Sequence, residues 1–518
     1  MPREKKLENM AIAPLLLFFT LFIQSIALPD FDVRQHLSTV TRYDIVKEVP
    51  DNSFIPSNIL DNSFVPSKIP DQCTLIHLNL VARHGTRAPT KKRIKELNKL
   101  ASSLEVLLRE RRSTSEHDTS SQNIPAWMYR WKSPWEGKLN GGELVPQGEV
   151  ELYNLGIRIR ERFPDLFAEE YHPDVYAIKA TQVPRASASA VAFGMGLFSG
   201  RGTLGEGRNR AFAVTTESRA SDMLLRFFDS CQTYKDFRKS KEPEVEKLKE
   251  PILDKITAAL VQRYGLNFTR QHTASLWFLC KQEASLLNIT NQACDLFSPS
   301  EVTALEWTDD LEGFLLKGYG KSINYKMGVP LLKDVLQSMN QAIKAKEEKQ
   351  ASGTYEKARL RFAHAETVVP FSCLLGLFLD GSEFELIQRE QPLPLPPMPP
   401  QKRSWRGSLI SPFAGNNMLV LYSCPAKNSS NYYVQVLHNE HPTPMPGCGN
   451  SDFCSFEDFK EKIVAPHLKY DYHAVCNSNL EVPVEQLETK QKPSKLSQLF
   501  SWLFLWKNEK KGAEKEEL

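Results

Sequence analysis

Residues 80–89 of the chain read Leu-Val-Ala-Arg-His-Gly-Thr-Arg-Ala-Pro. The apolar stretch from Leu75 to Val81 predicts a buried strand, which would deliver two arginines and a histidine to a turn at Gly85. Arginine forks bind phosphate oxygens bidentately, and a histidine among them is a candidate nucleophile toward phosphorus. The alternative is a surface loop that is basic by chance, but the run is too specific to favour it. The run therefore predicts a phosphate site.

Phosphoryl transfer needs a nucleophile, cations around the phosphate oxygens and an acid for the leaving group. His84 is the candidate nucleophile, with its attacking nitrogen unprotonated and its other nitrogen donating to a backbone carbonyl. Arg83, Arg87 and Arg185 form the candidate clamp. Arg185 lies just before the buried helix predicted over 186–197, where the backbone N–H groups of the first turn also favour an anion.

A second motif, His364-Ala365-Glu366, follows the strand predicted over 360–363. Glu366 is the candidate general acid, which would protonate the departing alkoxide and then activate water against a phosphohistidine. His364 is a candidate donor to the phosphate. Three residues recur often by chance, so the motif gains its weight from the strand that precedes it and from the first motif.

Lys91, Lys92 and Arg93 open the helix that apolar spacing predicts over 90–108. They could bind additional phosphates of a polyanionic substrate, although a solvated helix face explains them equally well. We expect one of the three to contact the ligand, and Lys91 and Lys92 are the candidates we name for this role.

Bulk composition excludes several other classes of protein. With 518 residues, 41% hydrophobic and 25% charged, the chain is long enough for two globular domains. A net charge of +3, spread along the chain, gives no reason to expect a nucleic-acid partner. The sequence has neither a paired Cys-x-x-Cys nor a His-x-x-x-His motif, and the histidine and arginine chemistry above needs no metal or cofactor.

The amino end predicts entry into the secretory pathway. Residues 1–27 combine a basic start, an apolar core over 11–23 and small residues before position 28, which is typical of a cleaved signal peptide. An uncleaved membrane anchor is the alternative. Nine cysteines would be mostly paired in an oxidising compartment, with one left over. Sequons at Asn267, Asn288 and Asn428 also favour a glycoprotein.

The carboxyl end leaves the final compartment open among the endoplasmic reticulum lumen, the vacuole and the extracellular space. Lys515-Glu516-Glu517-Leu518 resembles signals that retain proteins in the endoplasmic reticulum, although a solvated acidic tail is an equal alternative. The apolar segment 496–506 is too short to span a bilayer, so we expect it to cover a groove or to lie on a membrane surface.

The order of predicted elements favours an α/β domain with its ligand at the carboxyl ends of the strands. We place a leader with a short repeat at 28–70, the catalytic domain at 71–200 and 331–480, a mostly α-helical insertion at 201–330 and a charged tail at 481–518. A further helix is predicted over 148–163. Further strands are predicted over 175–180, 383–387, 418–422 and 432–437, with the proline-rich loop 392–400 joining the neighbouring strands 383–387 and 418–422.

The run from Arg83 to Pro89 resembles the signature of the histidine acid phosphatases. Most of that superfamily carries His-Asp at the second motif, whereas His364-Ala365-Glu366 resembles the multiple inositol polyphosphate phosphatases, which include plant phytases. The resemblance covers roughly residues 73–476. It also rests on Arg185 with Ser187-Ala188, and on the segments 224–231, 317–320, 323–325, 412–416 and 437–440.

The resemblance implies a phosphoglycerate-mutase-like α/β domain with an α-helical insertion, and stepwise removal of phosphates from inositol hexakisphosphate and related polyphosphates without a cofactor. It also implies disulfides between Cys73 and Cys424, Cys231 and Cys476, Cys280 and Cys294, and Cys448 and Cys454, with Cys373 unpaired.

Three alternatives stay open, and so does the oligomeric state. The first two are a broad-specificity acid phosphatase and a 2,3-bisphosphoglycerate phosphatase. The third, from another class, is an inactive secreted glycoprotein that binds polyanions. The presence of a nucleophile, three arginines and an acid together argues against the third.

Overall fold

The computed structural model describes residues 31–47, 73–114, 124–138, 140–425, 430–449 and 451–477. The predicted signal peptide, the short repeat, the segment 496–506, the charged tail and Asn428 lie outside the described residues. Among the residues described, no helix is both long and apolar enough to cross a membrane.

Within these ranges the strands form one eight-stranded sheet in the order β3-β2-β4-β1-β5-β6-β7, with β8 paired to β6. Strands β1 to β4 pair with one another in parallel, and β5 to β8 add antiparallel pairs. The strands are β1 (Thr74–Arg83), β2 (Tyr176–Thr181), β3 (Thr215–Glu217), β4 (Ala358–Ala363), β5 (Asn416–Pro425), β6 (Ser430–His438), β7 (His441–Pro442) and β8 (Phe453–Ser455).

Helices cover both faces of this sheet. The helices are α1 (Tyr43–Lys47), α2 (Lys91–Thr114), α3 (Pro146–Arg162), α4 (Pro184–Leu197), α5 (Phe227–Ser230), α6 (Gln232–Tyr264), α7 (Arg270–Gln282), α8 (Pro299–Lys317), α9 (Ile323–Lys326), α10 (Val329–Glu347), α11 (Ala365–Leu374), α12 (Gly381–Gln388), α13 (Gly407–Ile410), α14 (Phe456–Asp458), α15 (Ala465–Leu468) and α16 (Tyr472–Asn477).

Strand β1 shows why the sheet needs two covering layers. Its residues from Ile76 to Arg83 are all buried, as is typical of a parallel strand with both faces covered. Leu78 and Leu80 pack in a core with α3 and α4, whereas Val81 packs in a second core with α10 and α11. A third apolar core joins α2, α6, α7 and α8.

The register of the parallel strands places the motifs at one edge of the sheet. Arg83, the last residue of β1, pairs with Ala363, the last residue of β4. Phe362 of β4 pairs on its other side with Ala180 of β2. The residues that follow these three strands therefore emerge side by side.

The segment 201–330, which is predicted to be a mostly helical insertion, contains α5 to α9. It also contains β3, whose residues from Thr215 to Glu217 pair in parallel with β2 at the edge of the sheet. This segment thus contributes to the sheet as well as to the third apolar core. The domain boundaries given above stay a prediction.

The strand predicted over 383–387 is wrong, because these residues lie in helix α12. Asp380 caps this helix: its side chain accepts a hydrogen bond from the backbone N–H of Glu383, and the Glu383 side chain accepts one from the backbone N–H of Asp380. Strand β5 therefore has β1 and β6 as its neighbours, and the proline-rich loop does not join two strands.

Four disulfides crosslink the chain, and they are the four pairs that the resemblance implies. Cys373 is free and buried. Several disulfides in one chain are typical of an oxidising compartment, so the protein is secreted or lumenal. The predicted glycosylation sites Asn267 and Asn288 are both exposed.

Candidate active site

The loop after β1 is held against the start of α3 by close contact between two backbones. A Cβ atom at Gly85 would lie 2.3 Å from the carbonyl oxygen of Gly148, and one at Gly148 would lie 2.2 Å from the carbonyl oxygen of Thr86. Only glycine allows such an approach. The sequence requirement at Gly85 is therefore steric.

Two side chains fix this loop by hydrogen bonds. Ser189 accepts one from the backbone N–H of Gly85 at 3.1 Å. The carboxylate of Glu151 accepts bonds from the backbone N–H and from the hydroxyl of Thr86, both at 2.8 Å. Burial raises the pKa of Glu151 to about 7, although the bonds from Thr86 act in the opposite direction.

His84 has the orientation and charge state of a nucleophile. Its Nδ1 atom lies 2.9 Å from the carbonyl oxygen of Gly85, a contact in which Nδ1 donates and Nε2 keeps its lone pair. Burial and the adjacent Arg83 hold the pKa of His84 well below its usual range, so the ring is neutral. Its ring centroid lies 5.4 Å from that of His364.

Arg83 is anchored from two directions. Its Nη1 atom donates to the carbonyl oxygen of Ser411 at 2.7 Å and also to the carbonyl oxygen of Thr39. Its guanidinium carbon lies 4.5 Å from the centre of the Phe413 ring. Thr39 belongs to the amino-terminal segment 31–47, which packs into the core through Leu37 and other buried residues. This segment is therefore part of the site.

Arg226, which lies in the segment 224–231 that carries part of the family resemblance, also belongs to the cluster. Its Nη1 atom lies 3.1 Å from Nε2 of His364, and its Nη2 atom donates to Asp229. On the other side of the ring, Nη2 of Arg185 lies 3.4 Å from Nδ1 of His364. A neutral imidazole has one unprotonated nitrogen, so it cannot accept from both arginines at once.

His364 is held neutral by its surroundings. Burial and Arg185 lower its pKa to about 3. Its Nε2 atom also lies 3.2 Å from the hydroxyl of Thr181, at the end of β2. The neutral ring carries a single N–H, and its donation to a phosphate stays a prediction.

The four arginines of the cluster carry more positive charge and more donors than their protein partners balance. Burial, followed by repulsion from Arg87, lowers the pKa of Arg83 to about 9 and that of Arg185 to about 10. Burial also lowers the pKa of Arg87 and of Arg226. The Nε atoms of all four are buried and make no hydrogen bond within the described part of the chain. A bound oxyanion would supply both the charge and the acceptors.

Glu366 faces this cluster at the start of α11. Its Oε1 atom accepts a hydrogen bond from Nζ of Lys317, the last residue of α8, at 2.9 Å. Burial acts to raise the pKa of Glu366, but the charge and the hydrogen bond of Lys317 outweigh it and hold this pKa well below its usual range. Without substrate the residue is therefore a carboxylate, and a role as an acid requires a change around it.

A cavity of about 260 Å³ opens beside the cluster, with Arg87, Lys317 and Ala365 in its wall. Arg93 and Lys281 add further positive charge to the lining, and Asp309 and Glu312 add negative charge. Lys91, Lys92 and Arg93 are all exposed, and of these three it is Arg93 that lines the described cavity. Ligand contact by Lys91 or Lys92 stays a prediction.

The comparisons with known proteins agree with this geometry. Branch 2 of the histidine phosphatase superfamily matches residues 74–439. Multiple inositol polyphosphate phosphatase 1 of Gallus gallus is 30% identical over 383 residues, which cover 72% of this chain and 78% of the relative.

Two solved structures share the fold. The phytase from D. castellii has a TM-score of 0.60 and 19% identity, covering 88% of this chain and 92% of its own. The Bifidobacterium longum multiple inositol polyphosphate phosphatase, solved with inositol hexasulfate, has a TM-score of 0.55 and 17% identity, covering 84% of this chain and 98% of its own. The family match over residues 74–439 and the 30% identity to the Gallus gallus relative show that the chain belongs to the multiple inositol polyphosphate phosphatases of the histidine phosphatase superfamily.

Proposed function

We propose that the protein hydrolyses phosphate monoesters of inositol hexakisphosphate and other inositol polyphosphates through a phosphohistidine on His84. The observation that carries this proposal is the neutral His84, with Nε2 unprotonated, beside four arginines whose Nε atoms are buried. The Bifidobacterium longum structure with inositol hexasulfate, an analogue of a hexaphosphate, supports the substrate class.

In the first half-reaction, Nε2 of His84 attacks phosphorus, a P–N bond forms and the P–O bond to inositol breaks. The arginines stabilise the charge on the phosphoryl oxygens, and protonated Glu366 gives its proton to the departing alkoxide. In the second half-reaction, a water oxygen attacks phosphorus, the Glu366 carboxylate takes a proton from that water, and the P–N bond breaks. Free phosphate leaves and His84 returns to its neutral form.

The experiment is a comparison of phosphate release from inositol hexakisphosphate, 2,3-bisphosphoglycerate and glycerol 2-phosphate by the purified protein. We expect the highest kcat/KM on inositol hexakisphosphate, and a time course that passes through successive lower inositol phosphates. Release from simple monoesters but none from inositol hexakisphosphate would overturn the substrate assignment and favour a general acid phosphatase.

We propose the endoplasmic reticulum lumen as the compartment, because of the retention-like end Lys515–Leu518. Microscopy of the tagged full chain, with and without these four residues, tests this. Release of the truncated chain to the medium supports it, and an unchanged distribution contradicts it. Peripheral membrane contact by the segment 496–506 stays a proposal, testable by flotation with lipid vesicles.

A further inference from the structure

The inference concerns Lys317 and deepens the proposed function, on which it rests. Glu366 has to carry a proton to act as an acid, yet the ammonium of Lys317 lies 2.9 Å from its Oε1 atom and stabilises the carboxylate. The same lysine lines the cavity beside the cluster. Lys317 is therefore in contact both with the acid and with the space next to the scissile phosphate.

We propose that Lys317 is a positioning residue that senses a second phosphate on the substrate and, by turning to it, frees Glu366 to accept a proton. The lysine then makes the reaction selective for polyphosphates. A substrate with a single phosphate leaves the ion pair intact, so Glu366 can donate a proton to the departing alkoxide only at lower pH.

The geometry of the ion pair supports this movement. Both side chains are partly exposed, at 20% for Lys317 and 28% for Glu366, so neither is locked by packing. Lys317 is the last residue of α8 and has a flexible four-carbon chain. A phosphate dianion in the cavity would offer it a stronger partner than one carboxylate oxygen does.

Seven other titratable groups interact electrostatically with Glu366, but their arrangement around the carboxylate differs from that of Lys317. Five of them are arginines, and the other two, His364 and Tyr234, are neutral. Among the described residues, Lys317 is the side chain that donates a hydrogen bond directly to the carboxylate. These groups are Arg83, Arg87, Arg185, Arg226, Arg238 from α6, Tyr234 from α6 and His364. Binding of the scissile phosphate would neutralise much of the arginine charge for every substrate, whereas Lys317 responds to the second phosphate.

The test is the pH dependence of kcat in Lys317→Met, measured on glycerol 2-phosphate, inositol hexakisphosphate and p-nitrophenyl phosphate. A general acid has to be protonated, so the rate falls as pH rises through its pKa. This fall in rate is the basic limb of the pH profile. Removing the ammonium should move it upward by about one pH unit on glycerol 2-phosphate, because an adjacent opposite charge lowers a carboxyl pKa by about that much or more. The limb should stay in place on inositol hexakisphosphate, where the lysine has already turned away.

The preference for inositol hexakisphosphate over glycerol 2-phosphate, as a ratio of kcat/KM, should fall by about tenfold in Lys317→Met. Activity on p-nitrophenyl phosphate, whose leaving group needs no acid, should keep its pH profile. Lys317→Arg, which keeps the charge, should retain the wild-type profiles. Lys326→Met removes a comparable ion pair, with Glu390 at 3.3 Å, and should also leave all three profiles unchanged.

A basic limb that does not move on glycerol 2-phosphate in Lys317→Met would overturn the proposal. An equal shift of the limb on glycerol 2-phosphate and inositol hexakisphosphate, or an equal loss of kcat/KM on all three substrates, would also overturn it. In the Glu366→Gln background, Lys317→Met should have no further effect on the limb. Failure of the proposed function gives a different result, since the wild-type protein would then release no phosphate from inositol hexakisphosphate whatever the behaviour of the variant.

Discussion

Glu151 and Thr86 form a two-point contact beneath the loop that carries His84. Both the backbone N–H and the hydroxyl of Thr86 donate to the Glu151 carboxylate, each at 2.8 Å. Glu151 is 5% exposed, so few other groups compete for its oxygens. The loop that positions the nucleophile is thus fixed by a buried acid on α3.

The first prediction concerns the pH dependence of stability in Glu151→Gln. Because the folded pKa of Glu151 is raised to about 7, the folded state favours the protonated form, and the stability that this gives is present at low pH and lost as pH rises toward 7. The free energy of unfolding of the variant, relative to the wild type, should therefore increase by about 1–3 kcal/mol between pH 4.5 and pH 7.5. Urea unfolding at several pH values measures this, and a pH-independent difference contradicts it.

The second prediction is that His84→Ala loses turnover but keeps substrate binding. Loss of the nucleophile should lower kcat by about a thousandfold or more, while the arginines that bind phosphate remain. Rapid acid-free quenching and mass spectrometry should find a phosphorylated His84 peptide in the wild type and not in the variant. Calorimetric titration with inositol hexakisphosphate checks the binding, and retained turnover would contradict the covalent mechanism.

The third prediction tests whether Glu366 acts as the general acid or only as a structural carboxylate. Glu366→Gln should slow cleavage of inositol hexakisphosphate by about a hundredfold or more, because an alkoxide leaves poorly without a proton. The rate of the first half-reaction on p-nitrophenyl phosphate, followed as a burst of nitrophenol, should change far less. Equal losses in the two rates of leaving-group release would mean that Glu366 is not the acid.

The fourth prediction concerns Arg226, which contacts His364 at 3.1 Å. Arg226→Gln should weaken competitive inhibition by inorganic phosphate by about tenfold, since a hydrogen bond to a charged group contributes about 1.5–3 kcal/mol. Arg219→Gln is the matched control, because Arg219 is exposed and donates to the carbonyl oxygen of Gln182 instead. Similar losses in the two variants would assign the effect to overall charge.

The parts of the site that lie next to strand ends could be predicted from the sequence. His84 and His364 follow strands with continuous apolar runs, and parallel strands bring their carboxyl ends to one edge of a sheet. Arg185 was found for the same reason, since it opens the helix after β2. Local sequence pattern and sheet topology are sufficient to place these three residues at the same edge of the sheet.

Arg226, Lys317 and Glu151 reach the site through tertiary packing. The segments 224–231 and 317–320 carry the family resemblance, but no local pattern assigns any of these three residues to the site. Arg226 precedes the short helix α5, Lys317 ends α8, and Glu151 lies inside α3, so their meeting depends on how distant helices pack. The error at 383–387 has a different cause. A run of four to eight residues with mixed apolar character fits a strand or a helix, although Asp380 and Glu383 at capping-box spacing are the signal that could have identified the helix.

The bond from Arg83 to the carbonyl oxygen of Thr39 has a practical meaning for producing this enzyme. An expression boundary placed at Cys73, just before β1, would keep the described strands but remove Tyr43 and Leu37 from the apolar cores. It would also remove an acceptor of Arg83 and the part of the cavity wall formed by residues 37–40. The amino-terminal segment 31–47 is therefore needed to complete the site, and a recombinant protein should begin before Phe31.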